Sequence, residues 1–334
     1  MAATTNSNST TPLGGPDDDL AQQLEGSSAP ADASFRALAH VAGVLVLLVL
    51  GLITYTMASR STDALRHMGL DFFFTKRWSP PDQLYGILSY IFGTVYTAVI
   101  ALTLAVPVSL GIALFITQVA PRWLRGAMTY VIDLLAVVPS VVFGLWGVLV
   151  LSKHITGLYG WLSRTFHGWP VLGTIFGPNP QGKSFLTAGI ILAVMITPII
   201  VSLSREVIET TPQFEKEAAL ALGATRWEMI RGSVLPHSKG GLVGAVMLGL
   251  GRAMGETIAV ALVIGSATGS ITLNALAPGN SMPAVITAEW GEADALKKSA
   301  LIAMAMTLFV MTIVVNIAAT TIVNRSMRKS RGER

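Results

Sequence analysis

What most restricts this chain is a series of long stretches containing no Asp, Glu, Lys or Arg. Ala37 to Ser59, Gln83 to Pro121, Ser184 to Ser204 and Ser299 to Asn324 are four of them. Two more are interrupted lightly, Gly126 to Ser152 by Asp133, and Gly240 to Gly265 by Arg252 and Glu256. A helix needs about 20 mostly apolar residues to cross the hydrocarbon core, so each stretch reads as one span. The predicted helices cover 37–59, 90–117, 127–151, 185–208, 240–265 and 299–323. Prolines inside them (Pro107, Pro139, Pro198) are tolerable where neighbouring helices or Ser/Thr side chains satisfy the freed backbone groups. Charged residues make up only 13% of the 334, about half the usual share, too few to cover a soluble surface. The expected fold class is an all-α integral membrane protein with six transmembrane helices.

Residues 1–33 differ in kind. They are rich in Ser, Thr, Asn, Gly and Pro, carry Asp17, Asp18 and Asp19, and precede the first basic residue, Arg36. A signal peptide needs a positive start followed by an apolar core, so this segment reads as a disordered tail. After it come a first helix with its outer loop (34–84), a core (85–325) and a basic C-terminal tail (326–334). Six spans put both termini on one side. Basic residues flanking the spans accumulate after the last helix, in the second loop (Arg122, Arg125) and in the fourth (Arg205, Lys216, Arg226, Arg231, Lys239). By the positive-inside bias, the termini and the fourth loop are expected in the cytoplasm of a plasma-membrane protein. The absence of cysteine excludes disulfides, iron–sulfur clusters and thiolate-bound zinc, and the five histidines are scattered without ligand spacing. No metal, cofactor, catalytic group or nucleic-acid partner is expected.

The fourth loop, 209–238, is unlike the rest. Pro212 suits a first helical turn, with Glu215 and Glu217 favourable near a helix N-terminus. Gly223 can close that helix in a left-handed cap. A second short helix, 225–234, is predicted to run until Pro236. The plain reading is a surface loop of two amphipathic helices. The other reading is a knob that docks a partner, with small Ala218, Ala219 and Gly223 allowing close approach.

In the fifth span, Gly251-Arg252-Ala253-Met254-Gly255-Glu256-Thr257 lies about twelve residues in. A charge at the bilayer centre costs roughly 2.5–3.5 kcal/mol. Four residues apart on a continuous helix, Arg252 and Glu256 share a face, and such a pair returns only about 0.2–0.5 kcal/mol at a surface. The side chains should therefore face a wet cavity or another subunit. Either the pair fixes bundle packing, or Arg252 offers its planar fork to an oxyanion, with Glu256 orienting it or accepting a phosphate hydroxyl. Gly240, Gly244, Gly251 and Gly255 form small-xxx-small pairs that read as close helix packing.

Glu217-Ala218-Ala219, three residues, Gly223, nine residues, then Ser233-Val234-Leu235-Pro236 resembles the EAA loop of permease subunits in ATP-binding-cassette importers. Ser233 departs, standing where that family usually has an aliphatic residue. Val138-Pro139-Ser140 through Gly147, with Gly251 to Thr257, resembles the PstC permeases of phosphate-specific importers over about 85–325. The sister PstA permeases share the Arg-Ala-x-Gly-Glu-Thr core in a different context. The resemblance implies a type I importer (MetI-like) permease fold without catalysis of its own. It implies ATPase coupling through Glu217, Ala218, Ala219, Gly223, Leu235 and Pro236, and substrate translocation past Arg252, Glu256 and Thr257. It also implies a PstA-like permease subunit, a PstB-like ATPase dimer, a PstS-like phosphate-binding protein, and phosphate as cargo. An importer of another oxyanion or solute, and an ion-coupled secondary carrier, remain alternatives.

Gly177 to Ser184 matches the phosphate-cradling pattern G-x-x-x-x-G-K-[ST]. Pro178 and Pro180 remove donors that such a cradle needs, and a membrane span follows it where a βαβ unit should continue. It reads as a decoy. Asp133 reads as a polar contact between helices, and Trp161 and Trp169 as interfacial anchors. The loops at 60–84, 152–183 and 266–298 offer surface for an external binding protein or simply connect spans.

Overall fold

The computed structural model describes the backbone of residues 16–330 and the side chains of 33–321. Of the expected disordered tail, residues 1–15 lie outside the described residues, as do 331–334. The chain divides into a unit ending at Thr56 and one beginning at Met57. α1 (Pro16–Arg60) opens it, so residues 16–33 form the upstream turns of this helix. Over 33–60 the helix is apolar enough to span a membrane.

From Thr62 a small cap is built of α2 (Thr62–Met68), α3 (Asp71–Phe74) and an antiparallel pair, β1 (Trp78–Ser79) and β2 (Leu84–Tyr85). Trp78 pairs with Tyr85 across it. α4 (Leu88–Leu114) and a π-turn (Phe115–Val119) make the second span, and Pro107 stays inside the helix. α5 (Arg122–Val137) is followed at a sharp corner by α6 (Ser140–Trp146), a π-turn (Gly147–Leu151) and α7 (Ser152–His154). α8 (Thr156–Thr165) and α9 (Leu172–Ile175) lead to α10 (Phe185–Glu209). Beyond it lie α11 (Gln213–Ala221), α12 (Arg226–Met229), a π-turn (Ile230–Val234) and α13 (Leu235–Gly255). α14 (Ile258–Val263), α15 (Met282–Glu289) and α16 (Ala295–Ser330) complete the chain.

α10 is the hub, packed by α4, α13, α5 and α14. Small residues of α4 (Ala98, Ala101, Ala105) meet large ones of α10 (Ile191, Met195, Ile196, Ile200), and both are buried. This small-against-large match lets the two backbones approach closely without voids. A second cluster of Phe72, Trp78, Tyr85, Tyr90, Met282 and Leu301 ties the cap to α15 and α16.

The six spans of the sequence reading are matched in part. Among the described residues, four helices are long and apolar enough to cross a membrane, or five if α5 with α6–α7, bent by 89°, counts as one broken span. At that corner Val138 has ψ 126°, outside the helical region, because the ring of Pro139 excludes it and supplies no N–H. The fifth stretch, expected as one helix over 240–265, breaks at Glu256 (ψ 128°) and Thr257. Pro198 sits inside α10 without breaking it.

Candidate functional site

α13 runs beside α10, and two glycines set the register. A Cβ on Gly241 would come within 2.4 Å of the Val207 side chain, and one on Gly249 within 2.8 Å of Ile200 and 3.9 Å of Ile196. Rising along α13 therefore means descending α10. That register sets Arg252, one turn beyond Gly249, level with the middle of the 25-residue α10. Arg252 is exposed, and no hydrogen bond or ion pair is recorded for it among the described residues.

The Arg252–Glu256 pairing on one helix face is corrected by the same geometry. α13 ends at Gly255, and Glu256 takes an extended conformation (φ −71°, ψ 128°) that leaves the helix. Its Oε1 instead accepts from the Ala259 backbone N–H at 3.3 Å, satisfying a donor in the first turn of α14. The Thr257 hydroxyl donates to the Gly255 carbonyl at 3.2 Å, an acceptor left free where the helix stops. Glu256 and Thr257 thus hold the break open, and the guanidinium beside it is left without its expected counter-ion.

The 138–139 corner belongs to the same place. α6 packs against α14, and the contact is glycine-dependent: a Cβ on Gly144 would lie 2.8 Å from the Ala259 Cα, and one on Gly147 2.8 Å from Val263. The two segments singled out in the sequence, 138–147 and 251–257, are therefore two helix breaks whose following half-helices lean on each other. Of the glycines expected to pack helices, Gly244, Gly251 and Gly255 do not pack within this chain, a Cβ on each meeting nothing within 4 Å; Gly241 and Gly249, not singled out in the sequence, do. Gly240, Gly244, Leu248, Arg252 and Gly255 form an exposed stripe along α13.

At the other end of α13 the 209–238 loop is well defined. Gly223 turns the chain with φ +86° after α11, as its left-handed cap requires. Thr225 caps α12 in a capping box, accepting from the Glu228 N–H while the Glu228 carboxylate accepts from Thr225 N–H and hydroxyl, both at 2.8 Å. These hydrogen bonds, the backbone one foremost, hold the Glu228 carboxyl below the usual carboxylate range. Glu217 is exposed and accepts from the Gln213 amide at 3.2 Å. Ala218 and Ala219 line a notch of about 540 Å³ with Phe214, Leu222, Ser233 and Pro236. Phe214, Leu222 and Trp227 stand 70%, 90% and 62% exposed around it, an uncovered apolar rim.

One expectation fails here. Pro236 does not end the second loop helix. It lies inside a helical run that continues from α12 into α13, where the π-turn at 230–234 immediately before it accommodates its missing N–H. Sequence reasoning also missed the residues fastening this joint: Thr211 and Ser238 (hydroxyls 3.3 Å apart) and Glu215 and His237 (3.6 Å). Their only signal was a polar doublet immediately after Pro236, at the head of an apolar span.

In the 177–184 segment three backbone donors are engaged: Gly177 N–H bonds Asn274 Oδ1, Gln181 N–H the Leu276 carbonyl and Ser184 N–H the Val263 carbonyl, each at 3.1 Å. The Ser184 hydroxyl caps α10 by accepting from Thr187 N–H. Asp133 accepts from the Ser202 hydroxyl at 3.5 Å, a polar contact between α5 and α10. In the cap, Glu289 accepts from Trp78 Nε1 at 3.0 Å and pairs with Lys297 at 2.9 Å. Burial first, then the Asp294 and Glu289 charges, push the Tyr85 hydroxyl above its ordinary pKa.

Residues 105–329 match the family described as "Binding-protein-dependent transport system inner membrane component". The phosphate transport system permease protein PstC of Xylella fastidiosa strain Temecula1 is 41% identical, over 90% of this chain and 93% of that protein. PstC of Mesorhizobium japonicum is 40% identical (85% and 87%), and PstC of Haemophilus influenzae Rd 37% (90% and 96%). In fold, the chain is similar to a bacterial alginate ABC transporter solved with an alginate-bound periplasmic protein (TM-score 0.56, 17% identity, 90% of this chain and 97% of that one). It is also similar to the inward-facing MetNI methionine ABC transporter (TM-score 0.52, 15% identity, 75% and 99%). With its apolar helices, broken third span and sequence matched over most of its length, this multi-pass membrane protein belongs to the binding-protein-dependent transport inner-membrane components, among the PstC-type permeases.

Proposed function

We propose that the chain is the PstC-type permease subunit of an ATP-driven importer that carries inorganic phosphate across the cell membrane. It works with a PstA-like permease, a PstB-like ATPase dimer and a PstS-like phosphate-binding protein, and hydrolyses nothing itself. In this reading α13 with α14 acts as one broken span and α5 with α6–α7 as another. With α1, α4, α10 and α16 they make six crossings, with both termini and the 209–238 loop in the cytoplasm.

One observation carries the proposal: an arginine stands at mid-span, exposed and, among the described residues, with no ion pair, beside a helix break. Arg remains protonated at any accessible pH. Facing lipid, such a charge would be costly; facing a passage shared with a second subunit, it attracts anions. The open stripe from Gly240 to Gly255 supplies the wall of that passage, and a phosphate can dock two oxygens on the guanidinium fork. Glu256 and Thr257 keep the break in shape, leaving the positive charge uncompensated until the anion arrives. The 209–238 loop seats in the ATPase through Glu217, the Ala218–Ala219 notch, Gly223, Leu235 and Pro236. Closure of the ATPase pair moves it, and alternating access follows.

Phosphate uptake by Arg252→Gln and by Glu217→Lys discriminates the readings. Loss in both variants, with normal membrane insertion, is expected. Loss with Arg252→Gln alone indicates an ion-coupled carrier, and loss with Glu217→Lys alone indicates an importer of a different solute.

A further inference from the structure

The joint between the 209–238 loop and the span that carries Arg252 is fastened by side chains with no assigned role. α12, the π-turn and α13 form one uninterrupted helical rod from Arg226 to Gly255, so the second loop helix and Arg252 belong to the same rigid element. Three neighbouring features of its lower part are gripped by the end of α10 and the first residues of the loop. Ser238, 1% exposed, has its hydroxyl 3.3 Å from that of Thr211, itself 3% exposed. The Ser238 hydroxyl also lies 3.5 Å from the Val207 carbonyl near the end of α10. His237 Nδ1 lies 3.6 Å from Glu215 Oε2 in the first turn of α11. Gly241, one turn on, admits the Val207 side chain so closely that no Cβ fits.

We propose that Thr211, Glu215, His237 and Ser238 are positioning residues. They lock α11 and the end of α10 to the foot of the α12–α13 rod, so that displacement of the loop swings the rod as a lever. The break at Glu256–Thr257 is the far hinge, and Arg252 lies one turn short of it on the moving arm. The physical basis is the contrast between the ends. A buried hydroxyl pair has no water to replace a lost partner, so it resists shear, whereas at the break the helical ladder is interrupted and bridged by the 3.2 and 3.3 Å side-chain bonds of Thr257 and Glu256, so the chain bends there first. The proposal rests on the importer reading above and adds which contacts transmit the stroke.

The test uses the complete transporter purified with its ATPase and reconstituted with the binding protein, measuring phosphate transported per ATP hydrolysed. Ser238→Ala and Thr211→Val are expected to lower that ratio about tenfold, the scale of one buried hydrogen bond, while ATPase co-purification and hydrolysis persist. Ser238→Thr and Thr211→Ser, which keep the hydroxyls, restore it. The reciprocal exchange Glu215→Lys with His237→Glu recovers what Glu215→Lys alone loses. An unchanged ratio in Ser238→Ala and Thr211→Val overturns the proposal, as does a parallel fall of transport, hydrolysis and complex yield, which marks a purely structural role. If the wild-type chain co-purifies with no ATPase, or carries phosphate without ATP, the importer reading itself fails and the lever falls with it.

Discussion

At its foot, α13 is held on several sides: Ser238 is buried against Thr211, His237 reaches Glu215, and Gly241 is filled by Val207. At its head the same helix stops at Gly255, its exposed glycines touch nothing within the chain, and Arg252 makes no recorded hydrogen bond or ion pair. Both ends are rich in glycine, yet the residue does opposite work in each. At the foot, the missing Cβ admits a neighbouring helix. At the head, it leaves space unfilled in front of a charge. A helix fixed at one end and open at the other suits transmission from the first to the second.

Several substitutions would break or sharpen this contrast. The largest effect is expected at the open head. Arg252→Lys keeps the charge but loses the fork, and uptake should fall about 10- to 100-fold, the loss of one charge-assisted hydrogen bond of roughly 1.5–3 kcal/mol. Thermal stability of the purified complex should not change; a matching fall in stability would make Arg252 a packing residue. Next comes a matched glycine pair. Gly241→Ala forces a methyl group into Val207 and should cost about 1–3 kcal/mol in denaturation midpoints. Gly244→Ala meets open space and should be neutral or stabilising by up to about 1 kcal/mol through helix propensity. Equal effects at the two positions would erase the distinction between the ends.

Smaller still is the loop cap. Thr225→Ala removes the hydroxyl side of the capping box while the backbone N–H still donates to Glu228, and should destabilise the loop by about 1 kcal/mol, read as faster proteolysis between α11 and α12. The Glu228 carboxyl is held below its ordinary pKa, so its contribution is complete above the unfolded value and disappears as pH falls through the lowered folded one. Acidification through that window should loosen the loop slightly in the wild type, and Glu228→Gln should remove the pH dependence. Cleavage that is equally pH-dependent in Glu228→Gln would assign the effect to another group.

The helices were legible where hydrophobicity alone decides them: the helices predicted at 90–117 and 185–208 end within two residues of α4 with its π-turn and of α10. The left-handed turn at Gly223 was legible as well, because cap chemistry is local. The breaks were not. Pro139 and Pro198 look alike in sequence, but the first stands at an 89° corner whose second half-helix packs on α14, whereas the second stays inside α10. Glu256 was read as the helical partner of Arg252 because i,i+4 spacing assumes a continuous helix. The alternative clue was a Gly followed by two cap-forming residues, Glu256 and Thr257. Continuity through Pro236 was hidden for the opposite reason: a π-turn, a tertiary adjustment without a sequence signature, absorbed the missing donor.

The central claim is that the exposed stripe ending at Arg252 lines a water-filled path. Because the chain contains no cysteine, a Leu248→Cys variant, one turn below Arg252, gives a single reporter on that stripe. In the assembled transporter a membrane-impermeant thiol reagent applied from the cytoplasmic side should label it without nucleotide, and phosphate or trapped ATP should slow the reaction. A thiol at position 248 that stays unlabelled in every nucleotide and substrate state would mean that the stripe is sealed against dry helices, and Arg252 would then have no anion to meet.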